Sequence, residues 1–492
     1  MATQRITSKL TRNNNHNADR RAVVIGGSMA GMLAARVLAE HYERVTVIER
    51  DSFPEGPESR PGTPQARHLH GLMLRGRQII EQLFPGLNDE LVAAGAINID
   101  AGSDIAWHTP GGWGVNFRSG LEVLAFTRDL LDWAIRRRLK QFDNVRFVEE
   151  CDVTGLLGDE VGRGVDGVRV RFRHLPADIL AGEKELRADL VVDATGRASG
   201  MPQWLEALGY EAPAETVVNA HLGYASRLYR IPAGFKADWK AVFLQAAPPD
   251  RTRAGIIFPV EGDRWILTLG GGDRDYPPTD EAGFRAFARS LWSPLIASSI
   301  SGAEPLSPIY GNRSTQNRLR HYEHLKRWPE RLIVIGDSVC AFNPVYGQGM
   351  TTAAMGALEL DRCLREQRRR HPDGDLTGMA RRFQRKLARI NAAAWMLATG
   401  EDYRYRGTEG GTPDRMTRFM HRYMDQIFRL SSKNTRVRRA FLEVQQMIKS
   451  PAALFHPGIV ARVLWQTIKP WGNRREAAGV ASGSRQRVSE TA

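Results

Sequence analysis

One segment constrains the fold more than any other: AVVIGGSMAGMLAARVLAEHYERVTVIER, residues 22–50. Its pattern predicts a short apolar strand, a glycine turn, a helix of about three turns and a second apolar strand. Gly26, Ser28 and Gly31 occupy the three positions of G-x-G-x-x-G, with serine in place of the second glycine. This order of elements is typical of the opening βαβ unit of a Rossmann-like α/β domain, which is built on a parallel sheet.

The same segment predicts a site for a phosphate-bearing ligand. The second motif position must be small so that a pyrophosphate can approach, and Ser28 meets this requirement. The helix then presents free N–H groups and its positive dipole end, so we place Met29 and Ala30 in the site as well. Glu49 ends the second strand about 20 residues on, where a carboxylate accepts hydrogen bonds from an adenosine ribose, and we group Arg50 with it. A glycine turn with a purely structural role is the alternative.

Two later segments repeat the pattern of an apolar strand followed by polar and glycine positions. They are ADLVVDATGRASGM, residues 188–201, and RLIVIGDSVCAFNPVYGQGMTTAAMGALELDRCL, residues 331–364. The positions after the strands are Asp193, Gly196 and Ser199 in the first segment, and Asp337, Pro344, Gly347, Gly349 and Met350 in the second. A strand end beside a helix start that favours anions predicts a cofactor between them. The alternative is an ordinary loop in which Asp337 only caps a helix.

The three segments together resemble the FAD-dependent monooxygenases of the aromatic-hydroxylase type, also called group A, in their order and spacing. A closer resemblance is to the flavin epoxidases of polyether biosynthesis, those of the monensin and lasalocid pathways. It is carried by GGSMAG, RPGTPQARHLHGL, FTRDLLDWAIR, DATGRAS and GDSVCAFNPVYGQGM, and it covers about residues 20–370. One element departs from the family pattern G-D-A-A-H, because this chain has Ser338, Val339 and Cys340 after Gly336-Asp337.

This resemblance implies roles for particular residues. Glu49 would bind the adenosine ribose of FAD, Arg128 its pyrophosphate and Asp337 its ribitol. The turn at residues 347–350 would lie at the pyrimidine edge of the flavin. Val153 completes the implied set.

The resemblance also implies a reaction. The chain would be an FAD-dependent monooxygenase that inserts one oxygen atom from O2 through a flavin C4a-hydroperoxide. It would epoxidise alkenes of an apolar polyketide or terpenoid substrate in specialised metabolism. We assign no catalytic side chain, because the cofactor itself activates oxygen.

Three other functions stay open: an aromatic-ring hydroxylase, a flavin-dependent reductase or dehydrogenase of isoprenoid-like chains, and a non-catalytic basic binding protein. Flavin-dependent halogenases share the glycine elements, but WHTPGGWGV at residues 107–115 does not match their W-x-W-x-I-P motif. The region between Lys9 and Lys140 also lacks the lysine that such enzymes use.

The source of electrons follows from the same motifs. The sequence shows no second dinucleotide motif, so the reductant is either NAD(P)H that docks transiently or reduced flavin from a partner flavin reductase. By the resemblance, Arg67 contacts FAD or the visiting NADPH. An ion pair between Arg67 and a surface carboxylate is the alternative.

The chain divides into regions of different pattern. Residues 216–312 predict an antiparallel sheet inserted into the FAD-binding domain, with a hairpin turn at Glu261-Gly262-Asp263. Its aromatic residues include Tyr224, Phe243 and Phe258, which we place in the substrate pocket, although such residues are more often simply core. The predicted regions are a discontinuous FAD-binding domain at 21–215 and 313–372, a substrate sheet at 216–312 with a contribution from 106–127, a helical region at 373–472, and disordered tails at 1–20 and 473–492.

The composition limits the classes of partner that this chain can bind. Lys plus Arg is 69 and Asp plus Glu is 55, a net charge of +14 that favours acidic ligands, anionic lipid surfaces or nucleic acid. We expect no nucleic acid, because no nucleic-acid-binding fold is recognisable. The basic C-terminal helices predict either a solvated face or peripheral contact with an anionic membrane.

The cysteine and histidine positions support a cytoplasmic protein without a metal site. The three cysteines form no C-x-x-C pair, and the chain shows neither a secretory signal nor an 18-residue apolar run. His321, Glu323 and His324 lie close together in sequence, but their spacing is not H-E-x-x-H.

Overall fold

The computed structural model describes residues 19–173 and 183–468 of the 492-residue chain. The tails expected at 1–20 and 473–492 lie outside these residues, except for Asp19 and Arg20. The strands are β1 (Arg21–Ile25), β2 (Arg44–Ile48), β3 (Ile97–Asp100), β4 (Ile105–Thr109), β5 (Gly112–Trp113), β6 (Glu122–Ala125), β7 (Val145–Val148), β8 (Cys151–Gly158), β9 (Val165–Phe172), β10 (Lys184–Arg187), β11 (Leu190–Asp193), β12 (Glu215–Val218), β13 (Gly223–Arg230), β14 (Ala241–Leu244), β15 (Arg253–Val260), β16 (Arg264–Gly271), β17 (Tyr310–Asn312), β18 (Asn317–Arg320), β19 (Leu332–Val334) and β20 (Cys340–Ala341). The helices are α1 (Met29–Leu38), α2 (Leu74–Leu83), α3 (Leu87–Ala93), α4 (Arg128–Leu139), α5 (Met201–Ala207), α6 (Glu281–Arg289), α7 (Leu295–Ser299), α8 (Gly349–Arg370), α9 (Met379–Asp402), α10 (Arg415–Ser431), α11 (Thr435–Gln445) and α12 (Pro457–Ile468).

A five-stranded parallel sheet, in the order β19-β11-β1-β2-β7, forms the centre of the first region. Its inner strands are apolar and buried, as a parallel sheet covered by helices requires. Helix α1 packs against α8, and α8 packs against α9. The predicted Rossmann-like α/β fold is therefore confirmed, and the carboxyl ends of β1, β2, β11 and β19 meet at one edge of this sheet.

The second large sheet has seven strands in the order β17-β13-β16-β15-β14-β4-β5. Strands β15 and β16 form the predicted hairpin, with Val260 paired to Arg264. Side chains alternate between two faces: Ala225 and Tyr229 of β13 pack beneath α6 and α7, whereas Tyr224 points to the opposite face.

Three details of this region differ from the sequence-based expectation. The sheet is not wholly antiparallel, because β14 pairs in parallel with β4. Of the segment at 106–127, β4 and β5 join the sheet but β6 pairs with β3 instead. Helix α6 lies within the stretch predicted as strands, because Asp280 caps its first turn and Phe284 and Phe287 bury one face against the sheet. The domain bounds stay predictions.

The C-terminal helices are part of the folded body. Phe383 and Leu387 of α9 belong to the main core, whereas α10 to α12 form a separate apolar cluster that includes Trp107 of β4. Met416 and Phe419 of α10 are exposed, and peripheral membrane contact stays a prediction. Within residues 19–173 and 183–468, no helix is both long enough and apolar enough to cross a membrane.

Phe383 and Met396 offer a matched pair on one helix for testing this packing. Phe383 is fully buried, whereas Met396 is 52% exposed. We expect Phe383→Ala to lower the free energy of unfolding by about 3–5 kcal/mol, because it leaves a cavity in the core. Met396→Ala should change it by less than about 0.5 kcal/mol. Urea unfolding followed by circular dichroism measures both, and equal effects of the two substitutions would contradict the assigned packing.

Candidate functional site

The glycine loop between β1 and α1 is compressed against its neighbours. Gly26 has φ +100°, and a Cβ atom there would lie 2.6 Å from the carbonyl oxygen of Ala194. A Cβ atom on Gly31 would lie 1.8 Å from the carbonyl oxygen of Gly26. Both positions therefore require glycine, for the close approach of helix, loop and strand that the motif predicts.

A cation lies at the start of α1. Ser28 is the N-cap residue, but its hydroxyl makes no capping hydrogen bond within the helix. It accepts a hydrogen bond from Nη2 of Arg128 at 3.0 Å instead. Arg128 is 6% exposed, and its Nε donates to Asp132 at 2.7 Å. The helix dipole and a fixed guanidinium thus act together, which is the chemistry that holds a phosphate group.

Glu49 follows β2 and is fixed by a buried arginine. Its Oε2 accepts a hydrogen bond from the backbone N–H of Gly27 at 2.8 Å and forms an ion pair with Arg60 at 3.1 Å. Arg60 also bonds Asp51 at 2.9 Å and is 7% exposed. Arg60 begins the RPGTPQARHLHGL motif but was not among the predicted site residues, and it holds this carboxylate at the carboxyl end of β2.

The turn after β11 is built around the buried carboxylate of Asp193. This carboxylate accepts hydrogen bonds from the hydroxyls of Thr195 and Ser199, both at 2.6 Å, and burial raises its pKa. The N–H of Gly196 donates to Oγ of Ser338 at 2.8 Å. The second and third sequence motifs are therefore tied together by side-chain hydrogen bonds.

Asp337 follows β19 and lies beside the start of α8. Its carboxylate has no hydrogen bond or ion pair with the residues in the described ranges. Part of the Asp337 side chain is exposed to solvent, but many protein atoms surround the carboxyl group. The resulting desolvation raises the pKa of Asp337, whereas the positive charges of Arg197 and Arg128 lower it. A carboxylate without a partner at the cleft between β1, β19 and α8 suits a ligand that donates hydrogen bonds, such as a polyol.

A cavity extends from this cleft to the second sheet. Its walls include the cofactor-side loop at 344–347 and the segment at 68–73. The sheet contributes Tyr224, Phe243, Ile256, Phe258 and Thr268. Helix α11 contributes Leu442 and Gln445, and Gln446 follows directly after this helix. Asp, Glu, Lys and Arg are absent from the lining formed by the described residues.

Two neutral histidines belong to the cavity wall. His68 is bonded through Nδ1 to Oγ of Ser226 at 2.9 Å, and burial lowers its pKa to about 4, aided by Arg67. Nδ1 of His70 lies 3.0 Å from the carbonyl oxygen of His68, and burial lowers the pKa of His70 to about 3, aided by Arg128. Both imidazoles are uncharged at neutral pH.

A family model described as an FAD binding domain matches residues 19–377. The chain belongs to this family. The glycine loop, Arg128 and Asp337 fit the phosphates and the hydroxyl-bearing chain of FAD, so FAD is the cofactor.

Similar proteins extend the match beyond the FAD-binding domain. Protein Rv3254 of Mycobacterium tuberculosis (strain ATCC 25618 / H37Rv) is 32% identical over 465 residues, which is 92% of this chain and 94% of the relative. Kynurenine 3-monooxygenase of Salinispora arenicola (strain CNS-205) is 27% identical over 375 residues, covering 72% of this chain and 73% of that enzyme. The solved structure of the flavin-dependent brominase Bmp2 has a TM-score of 0.64 at 15% identity, covering 91% and 98% of the two chains, and this likeness concerns the fold.

With the family match, these relatives identify the protein as an FAD-dependent monooxygenase. Its structure brings many of the predicted site residues together. Gly26, Ser28, Met29, Ala30 and Gly31 form the loop and the first turn of α1 next to Arg128. Pro344, Gly347, Tyr224, Phe243 and Phe258 share one cavity. Gly349 and Met350 begin α8 beside Asp337. The individual roles stay predictions.

Three other predicted site residues receive less support. Arg50 and Arg67 are exposed, and the guanidinium of Arg67 lies over the ring of Tyr310 at 4.7 Å. Val153 is a half-buried residue of β8 that pairs with Val170. Their cofactor contacts also stay predictions.

The sequence analysis missed the contribution of α11 to the cavity. The amphipathic pattern RVRRAFLEVQQMI predicted the helix but gave no partner for its apolar face. In the structure, Leu74 N–H donates to Oε1 of Gln446 at 2.9 Å, and Nε2 of Gln445 lies 3.6 Å from Sδ of Met73. These contacts bring α11 to the cofactor side of the cavity.

A metal site is not among our assignments. The ligand atoms of His321, Glu323 and His324 lie within 4.8 Å of one another. However, both ring nitrogens of His321 are engaged, by Thr216 at 2.7 Å and by Glu323 at 3.1 Å.

Arg128 and Arg137 provide a test of the phosphate site on one helix, α4. Arg128→Met removes the buried guanidinium next to Ser28, and we expect FAD affinity to fall roughly 10-fold or more, because hydrogen bonds to charged groups are strong. Arg137 is half exposed and pairs with Glu90, so Arg137→Met should leave FAD affinity unchanged. Flavin fluorescence during reconstitution of the apoprotein measures both. Equal FAD affinity in the two variants would remove Arg128 from the site.

Proposed function

We propose that this monooxygenase inserts oxygen into an apolar, uncharged substrate, and that the reaction is epoxidation of an alkene in a polyketide or terpenoid chain. The observation that carries the proposal is the composition of the cavity wall. Its lining is mainly aliphatic, aromatic and glycine residues, with a few neutral polar groups and no charged side chain among the described residues. Such a wall favours a long apolar molecule that makes few hydrogen bonds.

The same lining disfavours an amino acid as substrate. Kynurenine carries a carboxylate and an ammonium group at neutral pH, and burying either one without an opposite charge is strongly unfavourable. The likeness to kynurenine 3-monooxygenase therefore supports the type of chemistry and not the substrate. The basic surface of the chain does not alter this, because its arginines and lysines lie outside the cavity wall.

The two histidines favour epoxidation over hydroxylation of a phenol. Ring hydroxylation is assisted by a base whose pKa lies near the working pH. His68 and His70 have pKa values lowered to about 4 and about 3, so both are weak bases. Oxygen transfer to an electron-rich alkene needs no such base, because no proton has to leave the carbon that is attacked.

The residues of the chain bind, orient and exclude water in this reaction. When bound, FAD supplies the activation of O2. The loop at 344–347 belongs both to the cofactor side and to the cavity, so a substrate in the cavity lies next to the flavin. Gln445 and Gln446, at the end of α11, line the cavity and contact Met73 and Leu74, and the mainly apolar wall disfavours water next to the substrate.

The reductant is part of the same proposal. NAD(P)H that docks transiently is the source typical of the family, and a partner flavin reductase is the other source. Adding NADPH to the anaerobic holoenzyme separates the two, because bleaching of the flavin absorption without a second protein identifies direct reduction.

The substrate class is tested with three compounds given to the reduced holoenzyme in air: an apolar polyene, p-nitrophenol and kynurenine. We expect the polyene alone to gain one oxygen atom, as an epoxide that acid opens to a diol. Mass spectrometry before and after acid treatment measures this. Oxygenation of either aromatic compound, with the polyene unchanged, would contradict the proposal.

Ile256 gives a second test, because it faces the cavity from β15. Ile256→Trp fills the cavity and should raise KM for a long polyene by roughly 10-fold, the scale of a poorly fitting apolar group. Ile256→Ala enlarges the cavity and should favour longer chains. FAD affinity should be unchanged in both variants, and unchanged chain-length preference in both would place the substrate elsewhere.

A further inference from the structure

A buried carboxylate at the end of α9 contacts the loop between β20 and α8. Asp402 is fully buried and lies outside the region matched by the family model. Its Oδ2 accepts a hydrogen bond from Nδ2 of Asn317 at 2.6 Å, and its Oδ1 accepts one from the hydroxyl of Tyr346 at 2.9 Å. Nδ2 of Asn343 donates to the same carboxylate at 3.2 Å.

The two asparagines extend this contact into the backbone of the loop. The N–H of Asn343 donates to Oδ1 of Asn317 at 2.6 Å, which fixes the orientation of the Asn317 amide. Oδ1 of Asn343 in turn accepts from the N–H of Val345 at 3.2 Å, at the start of the short helical turn at 344–346. Asn317 and Asn343 are themselves buried. One carboxylate therefore organises the segment from Asn343 to Tyr346.

The buried carboxyl group of Asp402 is unusual because no positive charge is paired with it among the described residues. Asp402 has no ion pair among the residues the structure describes, and its donors are two amides and a phenol. Burial raises its pKa to about 7, against the effect of the three hydrogen bonds, and Glu401 raises it further. A buried acid without a cation is unfavourable for folding. Its presence here, next to a loop of the cofactor cleft, points to a role in the site.

We propose that Asp402 is a positioning residue that holds the loop at 343–347 in the shape required to bind FAD, and so couples the C-terminal helices to the flavin. The inference rests on the proposed placement of this loop beside the flavin ring. It assigns no step of oxygen transfer to Asp402, which reaches the cofactor only through Tyr346 and the two asparagines.

The decisive variants exploit the fixed orientation of Asn317. In Asp402→Asn, one side of the new amide must carry N–H groups. At the Oδ2 position these face Nδ2 of Asn317, which also donates. At the Oδ1 position they face Nδ2 of Asn343, which also donates, and the hydroxyl of Tyr346 has to turn and accept. Asn317 cannot turn over without losing the N–H of Asn343. The double variant Asn317→Asp with Asp402→Asn restores every pairing. The new carboxylate at position 317 accepts from the N–H of Asn343 and from the new amide at position 402, whose carbonyl oxygen accepts from Tyr346.

Two readouts are independent of catalysis: the FAD dissociation constant of the reconstituted apoprotein and the visible circular dichroism of the bound flavin. We expect Asp402→Asn to weaken FAD binding roughly 10-fold or more and to change the flavin spectrum, because it places two donors against each other in a buried site. The FAD dissociation constant of the double variant should lie within about threefold of the wild-type value, because the coupled pair of side chains is restored. Glu401→Gln is the matched control, since Glu401 forms an ion pair with Arg404 and, among the described residues, makes no hydrogen bond to the loop.

Wild-type FAD affinity and flavin dichroism in a folded Asp402→Asn variant would overturn the inference. If that variant does not fold, Tyr346→Phe removes one donor to the carboxylate, and an unchanged affinity and spectrum there would overturn it equally. Gly347→Val tests a separate claim, the placement of the loop beside the flavin. If this variant leaves flavin binding and flavin dichroism unchanged, that placement is wrong. Loss of epoxidation alone, with all flavin readouts as expected, would count against the proposed substrate only.

Discussion

The close approach of backbone to backbone at Gly26 and Gly31 is the constraint on which the rest of the structure depends. A side chain at either position would overlap a carbonyl oxygen, so β1, β11 and α1 can meet only where both residues are glycine. This contact sets the start of α1, where Ser28 and Arg128 form the anion site. Strand β19 pairs in parallel with β11, so Asp337 and the loop at 344–347 follow at the same edge of the sheet. That loop also forms part of the wall of the apolar cavity.

Local patterns predicted the parts of the fold that depend on neighbouring residues. The glycine loop, the strand before Asp337 and the hairpin at 261–263 were all predicted from short stretches of sequence. The parallel pairing of β14 with β4, the placement of α11 at the cavity and the contacts of Asp402 were not predicted. Each joins segments more than 50 residues apart, and a single sequence carries no signal for such pairings. The helix α6 was missed because its capping residue and apolar spacing lie within a region rich in strand patterns.

Charge is distributed unevenly between the surface and the site. The net charge of +14 suggested acidic partners, yet the cavity wall in the described residues carries no charged side chain. The cation predicted to serve the cofactor is the buried Arg128, whereas exposed arginines such as Arg137 and Arg365 form ion pairs with nearby carboxylates. Overall charge therefore bears on association with other molecules, and the substrate class follows from the cavity. The buried acids Asp193 and Asp402 accept hydrogen bonds from Ser199 in the turn after β11 and from Tyr346 in the loop at 344–347.

The central claim is that the protein holds an apolar alkene next to an oxygen-activating flavin. A single-turnover experiment tests it most directly: the FAD-loaded protein is reduced without oxygen, freed of excess reductant and mixed with 18O2 and an apolar polyene. We predict about one 18O-labelled epoxide per reduced flavin, because a substrate held in the apolar cavity couples oxygen activation to transfer. Stoichiometric release of labelled hydrogen peroxide with an unlabelled polyene, together with labelled product from a phenol under the same conditions, would contradict the account.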